Sequence, residues 1–141
     1  MFKNKLKSNA RKIDLFLKNY LKSQKRSLLI NPMNYGVLSG GKKIRSSIIF
    51  AAGKLYNLKS NNLLNICGAV ECIHSYSLIH DDLPCMDNDK LRRGKATAHI
   101  KYGESTAVLA GNSLLTLAFE MISDKRFKIK DKNKISLIKK L

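Results

Sequence analysis

His74-Ser75-Tyr76-Ser77-Leu78-Ile79-His80-Asp81-Asp82-Leu83-Pro84-Cys85-Met86-Asp87-Asn88-Asp89 carries a helix to its end and opens it into a loop crowded with carboxylates. Pro84 sets the end: its ring would clash with the carbonyl of His80, and it has no N–H to donate. On an unbroken helix the six-residue step would place Asp81 and Asp87 about 120° apart. The break lets Asp87 turn back towards Asp81. Of the 10 acidic residues in the chain, Asp81, Asp82, Asp87 and Asp89 all stand here. Carboxylates so close repel one another unless a cation neutralises them. An oxygen-only site that shares its shell with water and phosphate suits Mg2+. An EF-hand does not fit, because it needs glycine at the sixth loop position and glutamate at the twelfth. The plainer alternative is an acidic loop that caps helices and pairs with lysines.

The flanking residues favour a polyanion. Arg92 and Arg93 follow the loop, and each guanidinium can fork onto phosphate oxygens. His74 lies two helical turns before Asp81, on the same face. Gly40-Gly41-Lys42-Lys43-Ile44-Arg45 places a flexible turn before a helix start. With helix resuming near Lys42, that residue and Arg45 fall three apart on one face, and the N–H groups of the start favour an anion. The G-x-x-x-x-G-K-[ST] spacing of a Walker loop is absent.

Outward from the site, the apolar spacing is helical. Ile13, Phe16, Leu17, Tyr20 and Leu21 predict an amphipathic helix near 10–22. A loop with Asn31-Pro32 follows, then a short turn from Tyr35 to Ser39 that Gly40-Gly41 interrupts. Ile44, Ile48, Ala51 and Leu55 mark the next helix. Asn61-Asn62 offers an N-cap for a long helix from Leu63 to about Asp82. Ala107, Leu109, Ala110, Leu114, Leu117 and Ala118 mark another from about Ser105 to Ser123. A charged connection from Asp124 to Lys134 leads to a last amphipathic helix with Ile135, Ile138 and Leu141, with Asp131 near its start. No convincing strand or internal repeat is visible.

The chain has 141 residues and a formal charge of +17. Lysine far outnumbers arginine and is scattered along the chain, which argues for compositional bias and against a nucleic-acid surface. No apolar run reaches the roughly 20 residues of a membrane span. The basic start lacks the apolar core of a signal peptide. Cys67, Cys72 and Cys85 have neither disulfide-framework nor zinc-ligand spacing. The expectation is a cytoplasmic protein.

Three segments together resemble the trans-prenyl diphosphate synthases, nearest the bacterial farnesyl diphosphate synthases: Gly40 to Arg45, Glu71 to Asp87, and Leu91-Arg92-Arg93-Gly94. Leu109-Ala110-Gly111-Asn112-Ser113-Leu114-Leu115 extends the likeness towards the C-terminus. The resemblance implies an all-α fold, the N-terminal half of the isoprenoid synthase helical bundle, usually homodimeric. It implies Mg2+-dependent condensation of an allylic diphosphate (dimethylallyl or geranyl) with isopentenyl diphosphate to farnesyl diphosphate. Position by position, Asp81 and Asp87 resemble the Mg2+ ligands, with Asp82 in support. Lys42, Arg45, His74 and Arg93 resemble the isopentenyl diphosphate clamp, and Arg92 the allylic diphosphate contact. Tyr76, five residues before Asp81, resembles the residue that floors the pocket and limits product length.

The chain departs from the family pattern at Ser46, where proline is usual, and at Asn88 and Lys90, which replace acidic residues. The family chain is roughly twice as long, and no D-D-x-x-D occurs after residue 89. Residues 1–141 are thus expected to form one truncated domain that lacks the second aspartate-rich motif, leaves apolar helix faces exposed and has little or no turnover alone. Two alternatives remain: a non-catalytic remnant or partner subunit of a prenyl synthase, and a basic interaction protein with an incidental acidic loop.

Overall fold

The computed structural model describes residues 2–141, and they form an all-α bundle with one minimal hairpin. The helices are α1 (Phe2–Lys22), α2 (Ile30–Val37), α3 (Ile44–Leu55), α4 (Ser60–Asp81), α5 (Ala98–Tyr102), α6 (Glu104–Ser123) and α7 (Asp131–Ile138). The hairpin strands are β1 (Leu91–Arg92) and β2 (Lys95–Ala96), paired antiparallel with Leu91 opposite Ala96.

Spacing of three and four residues puts Ile13, Leu17, Tyr20 and Leu21 of α1 into the core. Helix α4 is the centre of the bundle. It packs most extensively on α6 and also meets α1, α2 and α3. Neighbours on several sides explain why Leu63, Cys67, Ala69, Cys72 and Ile79 are all buried on one helix. Burial pushes the Cys67 and Cys72 thiols up to about 12, so both stay protonated and unreactive near neutral pH.

Several boundaries differ from the sequence expectation. Helix α1 begins eight residues earlier, at Phe2, since Leu6 and Ala10 continue the stripe of Ile13 and Leu17. Pro32 lies inside the first turn of α2, where an N–H has no intrahelical partner to lose. Helix α3 starts at Ile44, not near Lys42. Helix α4 starts at Ser60, after Lys59, with no side-chain cap, so Asn61 and Asn62 stand inside it. Helix α7, by contrast, begins at Asp131, the residue expected near its start. The hairpin and α5 were not visible as elements, because strands of two residues carry no alternation to read.

Helix α6 is long and apolar enough to cross a membrane by length and composition, with mean hydropathy 1.3. Its packing is that of a core helix: Ala107, Ala110, Leu114, Leu117, Ala118 and Met121 are buried in the bundle. Helix α3 presents an uncovered apolar stripe instead, with Ile44, Ile48 and Leu55 exposed at 52%, 64% and 82%.

Candidate functional site

A cavity of about 370 Å3 opens where the 38–43 loop, the start of α3 and the middle of α4 meet the tip of the hairpin. Lys42, Arg45, His74 and Arg93, the four residues that the resemblance assigns to one diphosphate clamp, all line it. Helical spacing is not what brings Lys42 beside Arg45. Lys42 precedes the helix, in a stretch where Gly40, Gly41 and Lys43 have φ of 89°, 110° and 47°. That left-handed path curls the loop around the pocket mouth. It costs glycine little and a β-carbon residue more.

Arg93 reaches the same loop from the other side. Its Nη1 donates to the Gly40 carbonyl. A β-carbon on Gly41 would lie 2.5 Å from Nη1, so a larger residue would push the guanidinium aside as well as strain the backbone. Arg93 and Gly94 form the two-residue turn of the hairpin, with φ of 53° and 75°. Positive φ at both positions matches the twist of the strands. The Tyr35 hydroxyl on α2 donates to the Ala96 carbonyl at 2.6 Å, and Thr97 Oγ1 donates to the Asp89 carbonyl at 2.8 Å. These bonds fix the hairpin that carries both arginines.

His74 stands 3.4 Å from Arg45 Nη1 through its Nε2, a geometry that needs the neutral imidazole as acceptor. Burial holds the His74 pKa below its ordinary value, and Arg45 lowers it further. The sign is direct. Below about pH 6.5 an unfolded His74 binds a proton that the folded one resists, so stability is lost as pH falls through that range. His74→Gln should therefore flatten the fall in thermal midpoint between pH 7 and pH 5. An unchanged slope would show that His74 does not titrate against folding. Asp14, whose pKa burial raises, acts in the opposite direction and is common to both proteins.

The carboxylates divide by partner. Asp82, grouped with Asp81 and Asp87 in the sequence, is 3% exposed and is held by Arg92. Arg92 Nε donates to Oδ1 and Oδ2 at 2.8 and 2.9 Å, and Nη2 donates to Oδ1 at 2.6 Å. Arg92 thus keeps Nη1 for other work among the described residues. The Asp87 N–H donates to the Asp81 carbonyl at 2.8 Å, closing the loop after Pro84. Neither the Asp81 nor the Asp87 carboxylate has a salt-bridge partner among the described residues. No group of three or more His, Cys, Asp or Glu side chains among them could hold a metal ion. Two free carboxylates fit Mg2+, which binds through one or two carboxylates and keeps water or phosphate for the rest.

Tyr76 is half-buried, with its ring edge-on to His80 at 4.6 Å. His80 in turn lies 3.1 Å from the Val108 carbonyl of α6. A β-carbon on Gly111 would sit 2.4 Å from His80 Nε2, so the histidine packs where α6 offers no side chain.

Residues 26–140 match the polyprenyl synthetase family. The chain belongs to that family. It is 48% identical over 114 residues to farnesyl diphosphate synthase of Escherichia coli (strain K12), covering 80% of this chain and 38% of that protein. It is 55% identical over 106 residues to farnesyl diphosphate synthase of Buchnera aphidicola subsp. Acyrthosiphon pisum, covering 75% and 37%. Among solved structures, an FPP/GFPP synthase from Zymomonas mobilis superposes with TM-score 0.89 at 38% identity, over 95% of this chain and 49% of that one. The chain therefore spans less than two-fifths of the length of these curated relatives and about half of the solved one.

In this polyprenyl synthetase chain, two charged residues of the pocket escaped the sequence reading. Lys43 is 7% exposed and Glu71 is 2% exposed. Lys43 Nζ lies 3.3 Å from Glu71 Oε2 and donates to the Val37 carbonyl at 2.9 Å. Ser46 Oγ donates to Glu71 Oε1 at 2.6 Å. The spacing held a signal, since Glu71 is one turn before His74 on the same helix and so shares its face.

Proposed function

We propose that this chain supplies the isopentenyl diphosphate clamp and the first metal-binding loop of a prenyltransferase of isoprenoid biosynthesis. The enzyme condenses dimethylallyl or geranyl diphosphate with isopentenyl diphosphate to farnesyl diphosphate. One observation carries the reading: Lys42, Arg45, His74 and Arg93 come from three separate segments and converge on one cavity. Four nitrogen-bearing side chains around a concave site suit a ligand with several anionic oxygens. The family membership of the chain and the names of its relatives support the same substrate class.

In this reading Lys42, Arg45 and Arg93 hold isopentenyl diphosphate, with His74 donating once protonated. Arg92 binds the allylic diphosphate through Nη1 while Asp82 holds its other edge. Asp81 and Asp87 would hold Mg2+, which when bound offsets the charge that grows on the departing diphosphate. Breakage of the allylic C–O bond leaves a carbocation that the isopentenyl double bond attacks, and loss of a proton completes the step. Tyr76 would close the pocket beneath the growing chain, with its ring held by His80. The uncovered α3 stripe supports a second reading, in which the chain is a non-catalytic subunit docked on another prenyl synthase. Turnover by the isolated chain would count against that reading.

Titration calorimetry of isopentenyl diphosphate onto the 141-residue chain tests the clamp. Losing one charge-assisted contact costs about 1.5–3 kcal/mol, roughly 10- to 100-fold in affinity. Lys42→Ala and Arg45→Ala should each weaken binding by that factor. Absence of binding by the unmodified chain, or binding by both variants as tight as that of the unmodified chain, would remove the proposal.

A further inference from the structure

We propose that Glu71 is a positioning residue for the diphosphate clamp, and that it acts through Ser46 and Lys43. The inference rests on the reading of the pocket given under Proposed function. The geometry is a buried carboxylate with both oxygens engaged. Oε1 accepts from Ser46 Oγ at 2.6 Å, and Oε2 faces Lys43 Nζ at 3.3 Å. Those two partners bracket the start of α3. Lys43 is the residue before the helix and holds the left-handed φ of 47°. Ser46 is the third residue of the helix. Glu71 therefore grips the turn on both sides of Ile44. The flanking residues, Lys42 and Arg45, are the ones that project into the cavity.

The grip also fixes the angle between α3 and α4. One turn along α4 from Glu71, His74 meets Arg45 at 3.4 Å. The start of α3 is thus tied to α4 by two successive contacts, one buried beneath the pocket and one in its wall. Lys43 has a second carboxylate at 3.7 Å, from Asp14 on α1, and it donates to Val37 on α2. A left-handed lysine carries backbone strain, because its β-carbon crowds the following carbonyl oxygen. It persists where surrounding contacts over-determine it, and these contacts come from three other helices. Without the Glu71 acceptors, Lys43 and Ser46 would lose their shared anchor, and the clamp cations would spread over more conformations before binding. Preorganisation of that kind appears in affinity and not only in stability.

Ser46 gives a clean test. The first ladder bond of α3 is donated by Ser47 to the Lys43 carbonyl, so the N–H of Ser46 precedes the ladder. Proline fixes φ near −65° and is tolerated at such a position. It can stiffen the turn without the hydroxyl. Ser46→Ala is expected to weaken binding of inorganic pyrophosphate and of isopentenyl diphosphate about tenfold, and Ser46→Pro to recover most of the loss. Glu71→Gln should weaken binding at least as much as Ser46→Ala, and the double variant should be no worse than Glu71→Gln alone. In Ser46→Ala, NMR titration should show the His74 pKa returning towards its ordinary value as Arg45 moves off. Ser46→Ala and Glu71→Gln that melt earlier yet bind within twofold of the unmodified chain, with the His74 titration unmoved, would reduce Glu71 to a structural residue. If Lys42→Ala and Arg45→Ala lose binding in that same experiment, the pocket reading survives and only this inference fails. If the unmodified chain binds neither ligand, both fall together.

Discussion

Arg92→Ala is expected to destabilise the fold by about 3 kcal/mol, because it strands a buried carboxylate. Asp82 is 3% exposed and takes three hydrogen bonds from one guanidinium. Removing one partner of a buried pair costs roughly 3–5 kcal/mol, mostly the desolvation of the charge left behind. The Arg92 side chain is 30% exposed, so water can partly replace it and the lower end applies. Against a total stability of about 5–15 kcal/mol this is a large share, and it should lower the thermal midpoint by roughly 10 °C. The control is the double variant Asp82→Asn with Arg92→Ala. With the charge gone, the pair should be less damaged than the two single losses predict when summed. Urea melts at constant ionic strength give both numbers. A single-variant cost under 1 kcal/mol, or strict additivity, would mean that Arg92 does not hold Asp82 in solution. The result bears on function as well, since Arg92 could then offer its whole guanidinium to a diphosphate.

That pair also shows where sequence reasoning stops. The break at Pro84 was readable, and α4 does end at Asp81. The helical stripes of α1, α3 and α6 were readable because each repeats over three or more turns. Lys42, Arg45, His74 and Arg93 could be grouped together only through the family resemblance, since residue type alone does not separate Arg93 from Arg92. What the sequence could not divide was the acidic cluster. Which aspartate meets Arg92 depends on the direction in which the hairpin turns back. That turn is built on Arg93-Gly94, with no Asn-Gly or Asp-Gly signal to reveal it. The left-handed turn at Lys43 was hidden for a related reason. Two glycines announce freedom, but a lysine with positive φ is fixed by Glu71, Asp14 and Val37, residues that are distant in sequence or carry no distinguishing pattern. Helical spacing put Lys42 and Arg45 on one face, whereas Lys42 in fact reaches the cavity from the loop before α3.

Asp81→Asn is expected to move stability and ligand binding in opposite directions. Asp81 is the last residue of a 22-residue helix, where the dipole presents its negative end. A carboxylate there is unfavourable by roughly 0.3–1 kcal/mol, and Asp82 beside it adds like charge. Arg92 relieves Asp82. Asp81 and the exposed Asp87 have no such partner among the described residues, which leaves both carboxylates open to the cation proposed for them. In EDTA, Asp81→Asn should therefore raise the thermal midpoint by one to a few degrees, on the order expected from that energy. With Mg2+ and inorganic pyrophosphate present, the unmodified chain should gain stability by mass action, and the variant should gain far less. The Mg2+-dependent part of pyrophosphate affinity should fall at least 10- to 100-fold, the range seen when even the supporting partners of a metal ligand are removed. Asp87→Asn should share the loss of affinity without the rise in EDTA, because it lies in the loop beyond the helix end. That asymmetry separates a metal ligand from a merely crowded charge. If Asp81→Asn melts earlier in EDTA, the carboxylate stabilises the helix end directly. If it keeps the full Mg2+-dependent gain, the cation is held elsewhere.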